Sequence, residues 1–282
     1  MVCALAAASI AACGGGGQPD GTSSGGGGRG GTAGEGLGGS AFNQCGVAAP
    51  LPADTGQCKP VSAPTIADFD DYVTGTMAAS YTYSVNGKPP AADTLLGAIQ
   101  HIGDGSDMSG GTSVISTEMV TGEGGAGWAI QIANSNALHW GGVFLFYFPA
   151  STTSRSCLNG QTYGGLEFSI RGATPSGRYG VSLGMLDTIP AGDSGLCRNP
   201  IAADCKNATI ELSMPTDATT WAKVQLPWSA FTPGVGSEQA CVPVTGQNIA
   251  QLSIQPHMNY PPPSYSFQPG PYTMAIDNLR FY

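Results

Sequence analysis

The sequence predicts an all-β fold, an antiparallel β-sandwich of about ten strands. Three observations predict it. Ten short β-like runs are separated by Gly, Pro, Asn and Asp, the spacing of strands and turns in sandwiches and barrels. Several of these runs alternate apolar and polar residues with period two. No long run of helical periodicity occurs anywhere in the 282 residues.

In order, the runs are "SYTYSV" at 80–85, "SVISTEM" at 113–119, "GWAIQIA" at 127–133 and "GVFLFYF" at 142–148. "GLEFSIRG" at 165–172, "YGVSLGML" at 179–186, "ATIELSM" at 208–214 and "WAKVQLP" at 221–227 follow. "AQLSIQP" at 250–256 and the terminal "YTMAIDNLRFY" close the chain. In the run at 165–172, Leu166, Phe168 and Ile170 oppose Glu167, Ser169 and Arg171. Leu252 and Ile254 oppose Ser253, Gln255 and His257, and Ala222, Val224 and Leu226 oppose Trp221, Lys223 and Gln225. Each strand offers one face to a core and one to water, as in antiparallel sheets packed face to face. "GVFLFYF" is apolar on both sides and reads as covered on both. "DTLLGAIQ" at 93–100 reads as one or two helical turns, and "WSAF" at 228–231, after Pro227, as a short 3₁₀ or α turn. In the terminal run Met274 and Ile276 share a face, but the next apolar pair, Leu279 and Phe281, has the opposite parity. The step is lost at Asp277-Asn278, which reads as a bulge.

The front of the chain does not belong to the sandwich. Residues 1–12 carry an apolar run too short to span a bilayer and fit a secretory signal. Ile10-Ala11-Ala12-Cys13 has the form of a bacterial lipobox, with Cys13 the lipidation site; a plain signal peptide cut near Ala12 is the alternative. No Lys or Arg precedes the apolar run. From Gly14 to Ser40, 15 of 27 residues are glycine. Residues 13–44 therefore read as a flexible tether, its ~27 glycine-rich residues reaching about 30 Å. The β-domain is assigned to residues 45–282.

The formal charge is −9, and only 10% of residues are charged. Ten Lys and Arg side chains never cluster, which leaves no nucleic-acid footprint and no basic membrane patch. Membrane contact is expected through the lipid anchor alone, at the outer membrane or cell surface. After Cys3 and Cys13, six cysteines remain, an even number that favours disulfides in an exported chain. Short loops favour Cys45–Cys58 and Cys197–Cys205, leaving Cys157–Cys241. No CxxC occurs to support zinc as the rival reading.

No serine-nucleophile elbow, zinc-protease motif or phosphate loop is present. For binding, sugars stack on aromatic rings and offer hydroxyls to amides, acids and guanidinium groups. Trp128, His139, Trp140, Trp221, His257 and Tyr260 are the ring candidates. Arg171, Gln255 and His257 are candidates to converge on one concave face, with Trp221 and Tyr260 beside them; an ordinary solvated face is the alternative. Acidic residues mark both ends of the domain: Asp68, Asp70 and Asp71 in "TIADFDDY", and Asp277 in "AIDNLRFY". First and last strands of a sandwich often lie side by side, so these carboxylates either meet around a cation such as calcium or are solvated turn residues.

Four segments in order carry a family resemblance: "IADFDD", "TYGGLEFSIRG" leading into "YGVSLGMLDT", "TTWAKVQLPWSAFT", and "MAIDNLRFY". Together they resemble galactose-binding-like jelly-roll domains, in particular family-11-like carbohydrate-binding modules, over residues 64–282. The resemblance implies a structural calcium held by Asp70 and Asp277, with Asp68 and Asp71 as further candidates. This chain has Asp where the family more often has Glu. It also implies polysaccharide or oligosaccharide as ligand, bound without catalysis on a concave sheet lined by aromatic and polar side chains. The acylated, tethered layout resembles bacterial surface lipoproteins. The alternatives are a structural or adhesive lipoprotein whose jelly roll meets protein, and a hydrolase or lyase on the same fold.

Overall fold

The computed structural model describes residues 58–70, 80–81, 98–103, 115–137, 142–148, 157–193, 195–199, 201, 204–256 and 270–282. The assignments of Cys13, the 1–12 signal and the 13–44 tether, and of Cys45, Asp71, His139, Trp140, His257 and Tyr260, lie outside them.

The fold is an antiparallel-rich β-sandwich. Its larger sheet contains β1 (Lys59–Pro60), β3 (Ser80–Tyr81), β4 (Ala98–Gly103), β7 (Gly142–Tyr147), β8 (Leu158–Asn159), β10 (Arg178–Met185), β11 (Ala208–Ser213) and β15 (Ile249–Pro256). Its smaller sheet contains β2 (Thr65–Ala67), β5 (Ile115–Thr121), β6 (Trp128–Ala137), β9 (Gly165–Ala173), β12 (Ala222–Pro227) and β16 (Gly270–Phe281). A ribbon of β13 (Gly234–Val235) and β14 (Cys241–Val242) stands beside them. The larger sheet runs β11-β10-β15-β7-β4-β3, with β8 and β1 carried at the start of β15. The smaller runs β12-β9-β16-β6-β5.

The alternation sets the core. Leu166, Phe168 and Ile170 of β9 and Met274 and Ile276 of β16 face inward from the smaller sheet; Phe144, Phe146, Tyr179, Val181, Leu252 and Ile254 meet them from the larger. Phe168 and Tyr179 join the two layers edge to face, with centroids 6.5 Å apart and planes at 74°. Such a pair contributes ~0.5–1.5 kcal/mol beyond its area burial. Val143 and Leu145 are also buried although they alternate with the core residues of β7. That strand is covered on both faces, as its composition predicts. After Pro227, Trp228–Ala230 forms the expected 3₁₀ turn, and the Trp228 indole N–H donates to the Tyr163 carbonyl.

Two expectations need correction. Ala98–Gly103 is a strand paired with β7, not a continuation of helical turns from residue 93. Pairing of Ile99 with Phe146 buries that side chain, and tertiary pairing overrides a short apolar run whose period is ambiguous. The disulfides also differ. Cys58 bonds Cys157, not Cys45, and this excludes Cys157–Cys241. The reason is the parallel pairing of Lys59 with Leu158, which sets the preceding residues side by side at a Cα separation of 4.6 Å. Cys241 is also disulfide-bonded, to a residue outside those described. Cys197–Cys205 forms as predicted.

Candidate functional site

The two acidic ends of the domain meet. β16 keeps β9 along one edge but exchanges partners on the other: β6 pairs it up to Ile276, and β2 pairs it from Leu279. Against β9, Asp277 stands opposite Ser169 and Arg280 opposite Glu167, so three residues of β16 span two of β9. The extra residue is Asn278, at φ +51°. Asn tolerates this left-handed conformation better than most residues, which is why the step is lost at an amide.

The notch left between β6 and β2 is filled by the Gly122–Gly127 turn that joins β5 to β6. Asp277 Oδ2 accepts the Glu123 N–H at 2.7 Å, and Oδ1 accepts the Asn278 N–H at 2.7 Å. At the other end of the turn Asp70 Oδ1 accepts the Trp128 N–H at 3.0 Å. Glu123 reaches back: its Oε2 accepts from Ser169 Oγ at 2.6 Å and from Asn278 Nδ2 at 3.1 Å. Phe69 sits fully buried at φ +60°, turning the chain so that its neighbour Asp70 meets the turn. Asp68 makes none of these hydrogen bonds among the described residues.

Electrostatically this clasp is strained. Burial pushes the Asp277 carboxyl above its ordinary range. The N–H groups of Glu123 and Asn278 pull it back, but the charges of Asp70 and Glu123 raise it again, and the net direction is upward. An oxygen-rich, negatively charged set of this kind has the chemistry of a hard-cation site. Its arrangement is not a finished cage. Among the described residues no three His, Cys, Asp or Glu side chains are arranged to hold a metal ion, and Asp70 and Asp277 already take main-chain N–H groups.

A second polar cluster lies on the same outer face of the smaller sheet. Glu167 points away from the core yet is only 4% exposed, because the Lys223, Gln225 and Arg280 side chains surround it. Lys223 Nζ lies 2.8 Å and Arg280 Nε 2.7 Å from its Oε1, and Gln225 donates to Oε2. Burial alone would raise its pKa, but these hydrogen bonds outweigh it and hold the group at about 2.

Of the ligand candidates within the described residues, Arg171 and Trp221 come together, and Gln255 stands apart from them. Arg171, on β9, is in the smaller sheet, and Gln255, on β15, is in the larger, so their outward faces point away from each other. Alternation tells which side of a strand is polar, but not which sheet the strand joins. Trp221, immediately before β12, lies 4.6 Å from the Arg171 guanidinium, which also donates to the Thr121 carbonyl. One face of that indole is therefore occupied by a cation.

The outer face of the larger sheet is of a different character. β15 presents half-buried Gln251, Ser253 and Gln255. β10 sets Gly180 beside Gln255 and Ser182 beside Ser253, so little rises from that strand between its two neighbours. β11 adds Thr209 and Glu211, and Glu211 is neutralised by Arg178 at 2.8 Å. On the β7 side Leu145, opposite Ser253, is buried, and only Tyr147, opposite Gln251, stands clear of the cover at 37% exposed. The result is a low strip of hydroxyls and amides with a ring at one corner. Sequence reasoning found Gln255 here but missed Ser182, Gln251, Ser253 and Tyr147 as a set. At the clasp it missed Glu123, whose signal was the glycine-dense "GEGGAG" at 122–127.

No family model and no curated protein matches the chain. Solved structures of similar arrangement include the family 11 carbohydrate-binding module from Clostridium thermocellum in complex with a β-1,3-1,4-mixed-linked tetrasaccharide. It is 12% identical, with 59% of this chain and 81% of that one covered, at TM-score 0.35. A family 30 carbohydrate-binding module is 10% identical, with 78% and 94% covered, at 0.35. A β-1,2-glucanase from Parabacteroides distasonis is 11% identical, with 59% and 20% covered, at 0.31. The likeness is to the jelly-roll arrangement alone. What this chain binds has to come from its own surface.

Proposed function

We propose that the domain binds neutral carbohydrate, without altering it, on the outer face of the larger sheet. We also propose that lipid at Cys13 and the glycine-rich 13–44 segment hold it at a bacterial outer membrane or cell surface, and that calcium braces the Asp70–Asp277 clasp. The carrying observation is the strip formed by Ser182, Gln251, Ser253 and Gln255. It offers uncharged donors and acceptors side by side, its one described ion pair, Arg178–Glu211, is internally neutral, and Tyr147 supplies a ring for stacking. Neutral polar groups around an apolar ring are what a sugar's hydroxyls and C–H faces require.

The non-catalytic part of the reading has its own support. Glycoside hydrolysis needs one carboxyl that can donate a proton near neutrality. Glu167 is held ionised by three neighbours and Glu211 is paired with Arg178, while the one carboxyl pushed above its ordinary range among the described residues, Asp277, belongs to the clasp on the smaller sheet and not to the strip. A glycan array followed by a reducing-sugar assay on every hit tests both statements. Binding without product release is the expected result, weakened by Gln251→Ala and by Ser182→Phe, which fills the strip. An array without any hit overturns the carbohydrate reading and favours a protein partner, and release of product overturns the non-catalytic one.

A further inference from the structure

We propose that the strip is closed at one end by Ile189, and that the domain therefore holds the terminal unit of a carbohydrate chain rather than a stretch of its interior. Asn207 is the group that meets this last unit. The proposal rests on the carbohydrate reading above and adds to it which part of a chain is held.

The strip is built of rows that cross β11, β10 and β15. Glu211, Gly180 and Gln255 form one row, and Thr209, Ser182 and Ser253 the next. In the row after that Gly184 pairs with Gln251, and the pairing of Leu183 with Ala208 brings Asn207 level with Gly184 on the other side. Gly180 and Ser182 are half-buried, but Gly184 is buried. What covers it is a side chain from the connection that follows β10. A Cβ built on Gly184 would lie 3.2 Å from Ile189 Cδ1 and 3.4 Å from Asn207 Oδ1. A ligand running along β10 over Gly180 and Ser182 therefore meets that methyl group and stops. The stop is firmly held. Ile189 N–H donates to the Met185 carbonyl at 3.1 Å, its own carbonyl accepts the Cys197 N–H at 3.0 Å, and Cys197 is locked to Cys205. Gly195 packs behind it so tightly that a Cβ there would lie 2.6 Å from Ile189 Cβ. In the opposite direction the strip runs out to the exposed Arg178–Glu211 pair.

The closed end carries an amide that is already oriented. The Met185 carbonyl takes the N–H groups of Thr188 and Ile189, so the buried Thr188 hydroxyl donates to Asn207 Oδ1, at 3.2 Å. A planar amide fixed through its oxygen has a fixed nitrogen, and Asn207 Nδ2 has no hydrogen-bond partner among the described residues. The side chains of Ser182, Gln251 and Ser253 have none among them either. Half-buried polar groups left in this way are ready for a ligand that supplies hydroxyls. An interior unit is linked on both sides, and its second link would have to pass through Ile189. A terminal unit has a free hydroxyl at that position. Asn207 Nδ2 donates to its oxygen, and the Ile189 methyl group packs against the C–H surface beside it.

The test uses the full chain and unbranched cello-, laminari-, xylo-, manno- and malto-oligosaccharides of increasing length, each with its parent polysaccharide, titrated calorimetrically. In a series that binds, wild type is expected to take one protein per chain end of one kind at every length, and the affinity per chain should stop rising once the strip is filled. Ile189→Ala opens the stop and should let long chains take several proteins each, while short fragments stay within a few-fold of their wild-type affinity. Ile189→Val, which removes the Cδ1 methyl alone, serves if the alanine variant does not fold. Asn207→Asp keeps an acceptor for Thr188 but removes the donor, and should weaken short fragments several-fold without changing the stoichiometry. Several wild-type molecules on one long chain overturn the closed end and spare the carbohydrate reading. So does a single molecule per chain that neither the Ile189 nor the Asn207 variants affect. If no series binds, both fall together.

Discussion

Gly127 and Asp70 are packed so closely that no side chain can stand at position 127. A Cβ built there would fall far inside the contact distance to Asp70 Oδ1, and the backbone is already at φ +65°. The contact lets the Asp70 carboxylate reach the Trp128 N–H and so ties the entry of the domain to the β5–β6 turn. Gly127→Ala should cost about 2–4 kcal/mol, the sum of a left-handed penalty and a displaced hydrogen bond. Gly124→Ala and Gly125→Ala, at φ +75° and +80° in open space, should each cost only ~1 kcal/mol. Denaturant melts of the three variants measure the difference. Adding Asp70→Ala to Gly127→Ala should recover at least ~1 kcal/mol relative to additivity. Strict additivity would mean that the two residues do not collide.

The other end of the clasp predicts a response to cations and to pH. The folded-state pKa of Asp277 is raised, so the folded protein holds that proton more tightly than the unfolded chain. Stability contributed by its protonation is present below the unfolded value and is lost as pH rises through the folded one. At neutral pH the ionised group is a cost that a bound calcium ion would relieve. EDTA is expected to lower Tm by several degrees at pH 7, readdition of calcium to restore it, and Asp277→Asn to abolish the response. A melt indifferent to chelator and calcium rejects calcium as the brace.

The disulfides predict an unequal pair of losses. Cys58–Cys157 closes a loop with sequence separation 99, and Cys197–Cys205 one of 8. Chain-entropy arithmetic assigns about 4.7 kcal/mol to the first and about 2.5 kcal/mol to the second. Replacing Cys58 and Cys157 by serine should therefore lower the unfolding free energy by clearly more than replacing Cys197 and Cys205. Equal losses would show that the long crosslink acts through local packing rather than through the unfolded chain.

What was readable in the sequence follows from the range of each signal. Alternation is local, so the inward Leu166, Phe168 and Ile170 and the outward Glu167, Ser169 and Arg171 are legible from nine residues. The bulge at Asn278 is legible for the same reason, as a parity change within one strand. Sheet membership is set by pairings between distant residues, and for that reason Arg171 and Gln255 were grouped although they lie in different layers. Cys58–Cys157 depends on a two-residue parallel pairing that leaves no pattern in the chain. Glu123 was hidden because a glycine-rich turn has no apolar rhythm; only the notch between β6 and β2 gives it a purpose.

Glu167 supplies the clearest acid-range prediction. Its pKa in the folded protein is about 2 against an ordinary 4.5, lowered by Lys223, Gln225 and Arg280 despite its burial. The unfolded chain therefore binds the proton first as pH falls. The stabilisation is fully present above about pH 4.5 and disappears as pH drops toward 2. Because the Lys223 and Arg280 side chains are 54% and 46% exposed, solvent screening reduces the nominal value to ~1–2 kcal/mol. Glu167→Gln should lose that amount at pH 7, and its unfolding free energy should converge with wild type below about pH 3. Glu211→Gln, which breaks an exposed pair with Arg178, should lose no more than ~0.5 kcal/mol. Urea titrations of the three proteins across pH 2.5–7 make the comparison. If Glu167→Gln runs parallel to wild type over that range, the cluster around Glu167 contributes shape but no charge-dependent stability.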